Sequence, residues 1–296
     1  MAPDSEEIGT EVIAEYTPAG PRQPLRQGDV LLSLDLGRPV WDLRRVVITA
    51  DCDLARRKHG GRISTIPVLT AKEYIVEVHM EKLESKLSTR LSDAATQIMN
   101  KKSYLANRGG TPVSSDRAIQ WLAEVGPGVV AEKIQATAPD EQELCRVHKA
   151  FEHLQIASDN FYLRTSSYLN AMQNLNPKST IEKLTQSLNN DFRQLMKNLP
   201  GDALFLNQIA DSHSGGYICY LRMIDNVNES DIACSPSMLS DQHNWQRTSR
   251  LASPFLYALT HQLADVFSSI GLPESYESRR DDTSSNFLNV DWNSND

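Results

Sequence analysis

The feature that most restricts the fold is a change of hydrophobic period that occurs twice along the chain. Between about residues 73 and 199, apolar side chains recur every three or four residues, as in amphipathic helices. The segments on both sides carry short apolar runs of strand length, rich in β-branched residues. Because insertions are tolerated at loop tips, this order predicts one β domain with a helical insertion. Two successive domains are the alternative.

Gly and Pro residues separate the predicted strands. The predicted strands are Val30–Leu34, Arg45–Thr49 and Arg62–Leu69 before the helical block, and Ala203–Leu206 and Tyr217–Ile224 after it. A last helix has Ser253 as its predicted N-cap and Pro254 at its first position, and it ends at Gly271. We expect this helix to pack on the β domain.

The resulting fold class is α+β, a small β-barrel interrupted by a large helical insertion. Its predicted parts are a flexible N-terminal arm (1–24), the barrel with its C-terminal helix (25–72 and 200–272), the helical insertion (73–199) and a disordered polar tail (273–296).

Charge and hydropathy narrow the classes of function and location. The formal net charge of −8 argues against general electrostatic binding of nucleic acid, which depends on clustered Lys and Arg. No run of about 18 apolar residues is present, and the first residues are acidic rather than a basic and then apolar leader. We therefore expect a cytoplasmic protein without a membrane partner.

A short basic window interrupts this acidic background. Its side chains, with one nearby aromatic residue, are the candidate nucleic-acid-binding residues Arg45, Arg56, Arg57, Lys58, Arg62 and Trp41. Trp41 would supply a face on which an unpaired base stacks. The alternative is an ordinary solvated loop with a core or rim tryptophan.

The segment Asp51-Cys52-Asp53 follows the valine-rich second strand. A nucleophilic cysteine needs a cationic or basic neighbour to lower its pKa, and two adjacent carboxylates act in the opposite direction. We therefore interpret Cys52 as a buried packing residue at the strand's exit turn. Two aspartates alone do not make a metal site, and no phosphate-cradling glycine loop is present, so no metal and no cofactor are predicted.

Two stretches of sequence resemble a known family. "RQGDVLLSLDLGRPVWDLRRVVITADCD" (26–53) and "GRISTIPVLTA" (61–71) are similar to the opening of the PemK/MazF-like toxin barrel. The resemblance implies an SH3-like barrel and metal-independent cleavage of single-stranded RNA. It places the catalytic residues at Arg44, which would stabilise the phosphate, and Thr70, which would orient the attacking 2′-hydroxyl. Arg45 stands where the family has Pro.

A second resemblance combines the "VVITADCDLA" segment with the helix "SPFLYALTHQLADVFSSIGLP" (253–273). It is to uncharacterised bacterial proteins from phage-defence gene neighbourhoods. Together the two resemblances lead to two hypotheses. In the first, the barrel and helical block form a binding module for a partner protein from a neighbouring gene or for single-stranded RNA. In the second, the chain is an endoribonuclease. Whether it is an enzyme, and whether it forms a homo-oligomer, stays open.

Overall fold

The computed structural model describes residues 14–102, 112–156, 158–210, 215–268 and 274–288. Within these ranges the strands are β1 Tyr16–Pro18, β2 Asp29–Ser33, β3 Arg44–Val47, β4 Arg62–Thr70, β5 Ala203–Leu206, β6 Tyr217–Tyr220, β7 Asp225–Asn228, β8 Ile232–Ala233 and β9 Trp245–Leu251. The α-helices are α1 Asp51–Ala55, α2 Ala71–Tyr74, α3 Glu81–Lys102, α4 Ser115–Val125, α5 Pro127–Lys133, α6 Ala138–Leu154, α7 Phe161–Leu175, α8 Ile181–Lys197, α9 Ser253–Ser268 and α10 Glu274–Leu288.

The strands form one curled sheet, a half-barrel, with the order β1-β9-β2-β3-β4-β6-β5. β7 also pairs with β4, and β8 pairs with β9; this last pair is parallel and the others are antiparallel. Strands from before and after the helical block are therefore hydrogen-bonded neighbours, and the α+β prediction is confirmed.

Helix α9 covers one face of this sheet. Leu259 is fully buried among sheet residues such as Val30 and Ile66, as expected for a helix that packs on the strands. The helix starts one residue earlier than predicted, because the Ala252 carbonyl already accepts a bond from the Leu256 N–H. Ser253 is thus the first helical residue rather than the cap.

The helical block has a core of its own, in which buried side chains of α3, α4 and α6 meet, among them Leu91, Leu122 and Leu144. Its first helix runs without a break from β4: α2, a π-helical turn over Ile75–Met80 and α3 follow directly. Because a π-turn widens the helix locally, it shifts the register of α3 relative to α2. No helix in the described ranges is both long and apolar enough to cross a membrane.

The sequence analysis missed β9, which lies between β1 and β2 in the sheet. Its buried positions alternate as a strand requires, but two of them are occupied by Arg247 and Ser249. The Arg247 side chain and the Asp29 carboxylate on β2 are both fully buried and form an ion pair at 3.3 Å. A buried ion pair thus replaces the apolar alternation by which strands are recognised.

The structure describes regular elements in parts of the predicted arm and tail. Residues 1–13 and 289–296 lie outside the described residues. Within the described part of the arm, β1 pairs with β9, and the Arg247 guanidinium binds the carbonyl oxygens of Gly20 at 2.9 Å and Pro24 at 3.0 Å. Much of the predicted tail is the helix α10.

The region after the valine-rich strand is a short helix, α1, rather than an exit turn alone. Cys52 lies on its exposed side, so the prediction of a buried packing cysteine was wrong. The strand predicted over Tyr217–Ile224 ends at Tyr220, and β7 begins at Asp225. The apolar residues of this segment did not indicate that one strand ends at Tyr220 or that another begins at Asp225.

Candidate nucleic-acid interface

Four of the predicted nucleic-acid-binding residues are exposed and lie within residues 56–62, which run from the end of α1 to the first residue of β4: Arg56, Arg57, Lys58 and Arg62. We call this segment the basic loop. Within the part of the chain that the structure describes, none of the four forms an ion pair with a carboxylate. Their charges are therefore available to an anionic ligand.

Backbone hydrogen bonds at the end of α1 fix the shape of the basic loop. The Lys58 N–H donates to the Asp53 carbonyl at 2.9 Å, and the Arg57 N–H donates to the Leu54 carbonyl at 3.2 Å. This pair of bonds is a Schellman motif, which requires a left-handed residue after the helix cap. That residue is usually Gly, but here it is Arg57, with φ of 52°. The conformation holds an arginine where glycine would be less strained.

A cleft of about 470 Å³ lies beside the basic loop, between residues 24–26, α1 and the segment after β7. Arg57 and Arg26 both line it. The carboxylates in its wall already have partners: Asp51 accepts the Gln27 N–H at 2.8 Å, and Glu229 contacts the His59 ring at 3.0 Å. Among the residues that the structure describes, neither guanidinium group has a carboxylate partner, whereas both carboxylates in the wall have partners.

His59 ties the basic loop to the segment after β7. Nε2 lies 3.0 Å from a Glu229 carboxylate oxygen, and Nδ1 lies 3.2 Å from the Asp53 carbonyl oxygen. Both contacts favour the protonated ring, and the Glu229 carboxylate is the larger cause, so the pKa of His59 is raised from its ordinary value. Protonation of His59 would strengthen the contact that holds the loop.

Arg44 and Thr70, the residues that the toxin resemblance implies to be catalytic, lie in one hydrogen-bond network joined by Glu73. Arg44 Nη2 donates to both Glu73 carboxylate oxygens, at 2.6 and 2.8 Å. The same carboxylate accepts the Thr70 N–H at 2.6 Å, and the Thr70 hydroxyl accepts the Glu73 N–H at 3.2 Å. Thr70 and Glu73 thereby form a capping box at the start of α2.

The contacts of this network already serve the fold, because they cap α2 and balance the charge of Arg44. The Arg44 side chain is mostly buried, and its short ion pair with Glu73 already balances its charge, so a phosphate would have to compete with that carboxylate. Glu73 was missed by the sequence analysis, although Thr70-x-x-Glu73 is a visible capping signature. Trp41 lies near this network, not near the basic loop. Its Nε1 donates to Glu77 at 3.0 Å, and its ring edge packs against Tyr220.

The predicted binding residue Arg45 is separated from both groups. Its side chain is 6% exposed, and it forms ion pairs with Asp42 and, at 3.0 Å, with Asp225. It therefore does not extend the exposed basic surface. The sequence could not reveal the pairing of Arg45 with Asp225, because the helical block separates the two residues along the chain.

Two further observations concern the chemistry of the described residues. No group of three or more His, Cys, Asp or Glu side chains in these ranges is arranged to hold a metal ion. None of the four cysteines is in a disulfide, and burial raises the pKa of the Cys219 thiol to about 12. At neutral pH, Cys219 is thus a buried thiol rather than a nucleophilic thiolate.

Comparisons of the chain with protein-family models, with curated proteins and with solved structures found no match in any of the three.

Proposed function

We propose that this chain is a nucleic-acid-binding module of a toxin- or defence-associated system, and that the basic loop and the adjacent cleft grip single-stranded RNA. In this proposal the half-barrel is of the SH3-like, PemK-like type, and the helical block carries the interface for any partner protein. The observation that supports it best is a set of four exposed cations in the basic loop, none of which pairs with a carboxylate in the described ranges.

Electrostatics explains how an acidic protein would still bind RNA. Screening limits the reach of surface charges to about 8–10 Å at moderate salt, so the local loop matters more than the net charge of −8. Guanidinium groups pair with phosphate oxygens through parallel hydrogen bonds. Arg57 and Arg26 line the same cleft, so a backbone that enters it would meet both cations.

The test is fluorescence anisotropy with a labelled, unstructured single-stranded RNA at several salt concentrations. The variant is Arg56→Gln with Lys58→Gln. Each phosphate contact on a single strand contributes about 0.7 to the slope of log K against log salt. We expect the double variant to bind more weakly, with a slope smaller by about 1.4.

The matched control is Lys82→Gln with Lys86→Gln on α3, which removes the same charge from two exposed side chains outside the basic loop. It should bind RNA as the unaltered chain does. Equal affinity in both double variants, or an equal loss in both, would show that the basic loop is not the binding surface.

A second candidate function, a metal-independent endoribonuclease, is supported by one specific observation: Arg44 and Thr70 lie together, with a carboxylate between them. In that mechanism Arg44 would stabilise the phosphate charge that develops during attack by the 2′-hydroxyl, and Thr70 would orient that hydroxyl. RNA would have to displace part of the pairing between Arg44 and Glu73.

Cleavage of single-stranded RNA in EDTA separates the two functions. Thr70→Asn keeps an N-cap acceptor for α2 but removes the hydroxyl, whereas Thr70→Ser keeps both. An endoribonuclease should retain cleavage with Ser and lose it with Asn while both variants stay folded. RNA that is left intact by the unaltered chain supports the binding module.

A further inference from the structure

The lining of the cleft beside the basic loop combines charged and apolar side chains. The charged ones are Arg26, Arg57, Asp51 and Glu229. The apolar ones are Pro24, Leu25, Leu54 and Ala55. At about 470 Å³ the cleft lies within the range of about 300–1,000 Å³ that is usual for small-ligand sites. A surface that only followed a phosphate backbone would need the cations but not the apolar wall, which is the kind of surface that contacts the face of an unpaired base.

The apolar wall of the cleft is fixed by contacts within the protein. The Pro24 carbonyl accepts hydrogen bonds from Arg247 at 3.0 Å and from Arg250 at 3.2 Å. Leu25 and Leu54 are half-buried, and both pack on an apolar cluster of the sheet. The surface that they leave in the cleft is therefore preformed, which lowers the entropic cost of binding a rigid ring.

Both carboxylates of the cleft retain hydrogen-bond acceptor capacity. Asp51 accepts the Gln27 N–H through Oδ1 at 2.8 Å, and Glu229 contacts His59 through Oε2 at 3.0 Å. The second oxygen of each carboxylate receives no hydrogen bond from the residues that the structure describes, and both side chains are exposed. An ionised carboxylate accepts hydrogen bonds and cannot donate them. These two oxygens therefore favour a ligand that presents N–H donors.

The hydrogen-bonding edges of the four RNA bases differ in the donors that they offer. Guanine alone has two adjacent N–H donors, N1–H and the N2 amino group, on its Watson–Crick edge. In adenine and cytosine the amino group lies beside a ring nitrogen that accepts, and in uracil N3–H lies between two carbonyl oxygens. An acceptor that faces a carboxylate oxygen is repelled, which disfavours these three bases.

We propose that the cleft holds one guanosine nucleotide of a bound RNA strand. The base lies on the wall formed by Leu25 and Leu54 and donates to the free oxygens of the carboxylates, while Arg26 and Arg57 bind its phosphates. The proposal rests on the function proposed above, because the nucleotide belongs to the strand that the basic loop grips. A good pair of hydrogen bonds to a base edge discriminates against the wrong base by about 5- to 150-fold.

Fluorescence anisotropy with short labelled oligouridines tests this preference. One strand contains only uridine, and in two others the central nucleotide is guanosine or adenosine. We expect the guanosine strand to bind the full chain about 5- to 150-fold more tightly than the other two strands.

Asp51→Asn is the decisive variant, because it can still accept the Gln27 N–H but replaces the free acceptor with a donor. The guanosine strand should bind this variant more weakly. The all-uridine strand should bind at least as tightly as before, since a negative charge near its phosphates has been removed. A loss of stability alone would not change the two affinities in opposite directions, and thermal melting shows that the variant is folded.

Asp53→Asn is the matched control. It removes the same charge from the same helix, α1, but Asp53 is not among the described residues that line the cleft. The preference for guanosine should persist in this variant. Glu229→Gln is a second test of the carboxylates, because it keeps an acceptor for His59 and should reduce the preference.

Equal affinity for the three strands overturns the proposal and leaves RNA binding by the basic loop intact. A guanosine preference that survives in both Asp51→Asn and Glu229→Gln does the same. If no strand binds, the proposed function fails, and isothermal titration with guanosine and uridine 5′-monophosphates decides the cleft alone. Binding of the guanosine compound only, lost in Asp51→Asn, would support the nucleotide site, whereas equal binding of the two compounds or none would overturn it.

Discussion

Replacing Arg57 by glycine should make the protein more stable and at the same time weaken its binding of RNA. Arg57 has φ of 52° because the Schellman motif at the end of α1 requires a left-handed residue there. That conformation costs an L-residue about 1–2 kcal/mol. Glycine removes this cost but gives the unfolded chain additional freedom worth about 0.5–1 kcal/mol. The expected net gain in unfolding free energy is about 0.5–1 kcal/mol.

Arg56→Gly is the matched control, because it removes the same charge one residue earlier. Arg56 has φ of −97°, so there is no left-handed strain to relieve. Glycine at this position should lower the free energy of unfolding by about 0.5–1 kcal/mol. The two variants should therefore differ in stability by about 1–2 kcal/mol, with opposite signs relative to the unaltered chain.

Urea unfolding and RNA anisotropy measure the two effects. Both variants should lose one phosphate contact, which reduces the salt slope by about 0.7 each. A destabilised Arg57→Gly variant would refute the assignment of strain to this loop. Unchanged RNA affinity in both variants would refute the role of the loop in binding.

Three other predictions concern features away from the Schellman motif. Arg247→Met removes the donor to the carbonyls that Arg247 binds while Asp29 keeps Arg250 at 2.6 Å, and we expect a loss of about 1–3 kcal/mol in unfolding free energy by urea titration. Cys52 should react with an alkylating reagent in the native protein and Cys219 only after unfolding, while Cys52→Ser changes stability by less than about 0.5 kcal/mol. Because the folded pKa of His59 is raised, its contribution to stability is present below its unfolded pKa near 6.5 and is lost as pH rises through the folded pKa. Glu229→Gln should flatten this part of a melting-temperature profile between about pH 5 and 8.

Local chemistry was sufficient to predict much of the sheet and the helical block. The strands β2 and β4 carry β-branched or leucine-rich runs, and Gly28, which precedes β2, has the positive φ of 87° that favours glycine. The helices show the apolar period that their buried core requires. In contrast, the pattern of β9 is concealed by Arg247, whose burial depends on Asp29, far away in the sequence.

The candidate site was predictable to a smaller extent. The cluster of cations in the basic loop is visible in the sequence, and so is the Thr70-x-x-Glu73 capping signature. The exposure of Arg57 and the burial of Arg45 are not, because each depends on the surrounding fold. Arg45 is buried by the register that places Asp225 on the same face of the sheet. The residue type of Arg45 alone does not show that it is buried or that Asp225 is its partner.

The buried ion pair joins β2 to β9, and this pairing can form only late in synthesis because β9 lies near the end of the chain. Its two residues are 218 positions apart. At translation rates of about 5–20 residues per second, β2 waits about 10–40 s for its neighbour, while the local contacts of the helical block form without delay. Until then β2 presents an unpaired edge, which is a template for pairing between chains. A polypeptide released before Trp245 should therefore accumulate as aggregates rather than as a smaller folded protein.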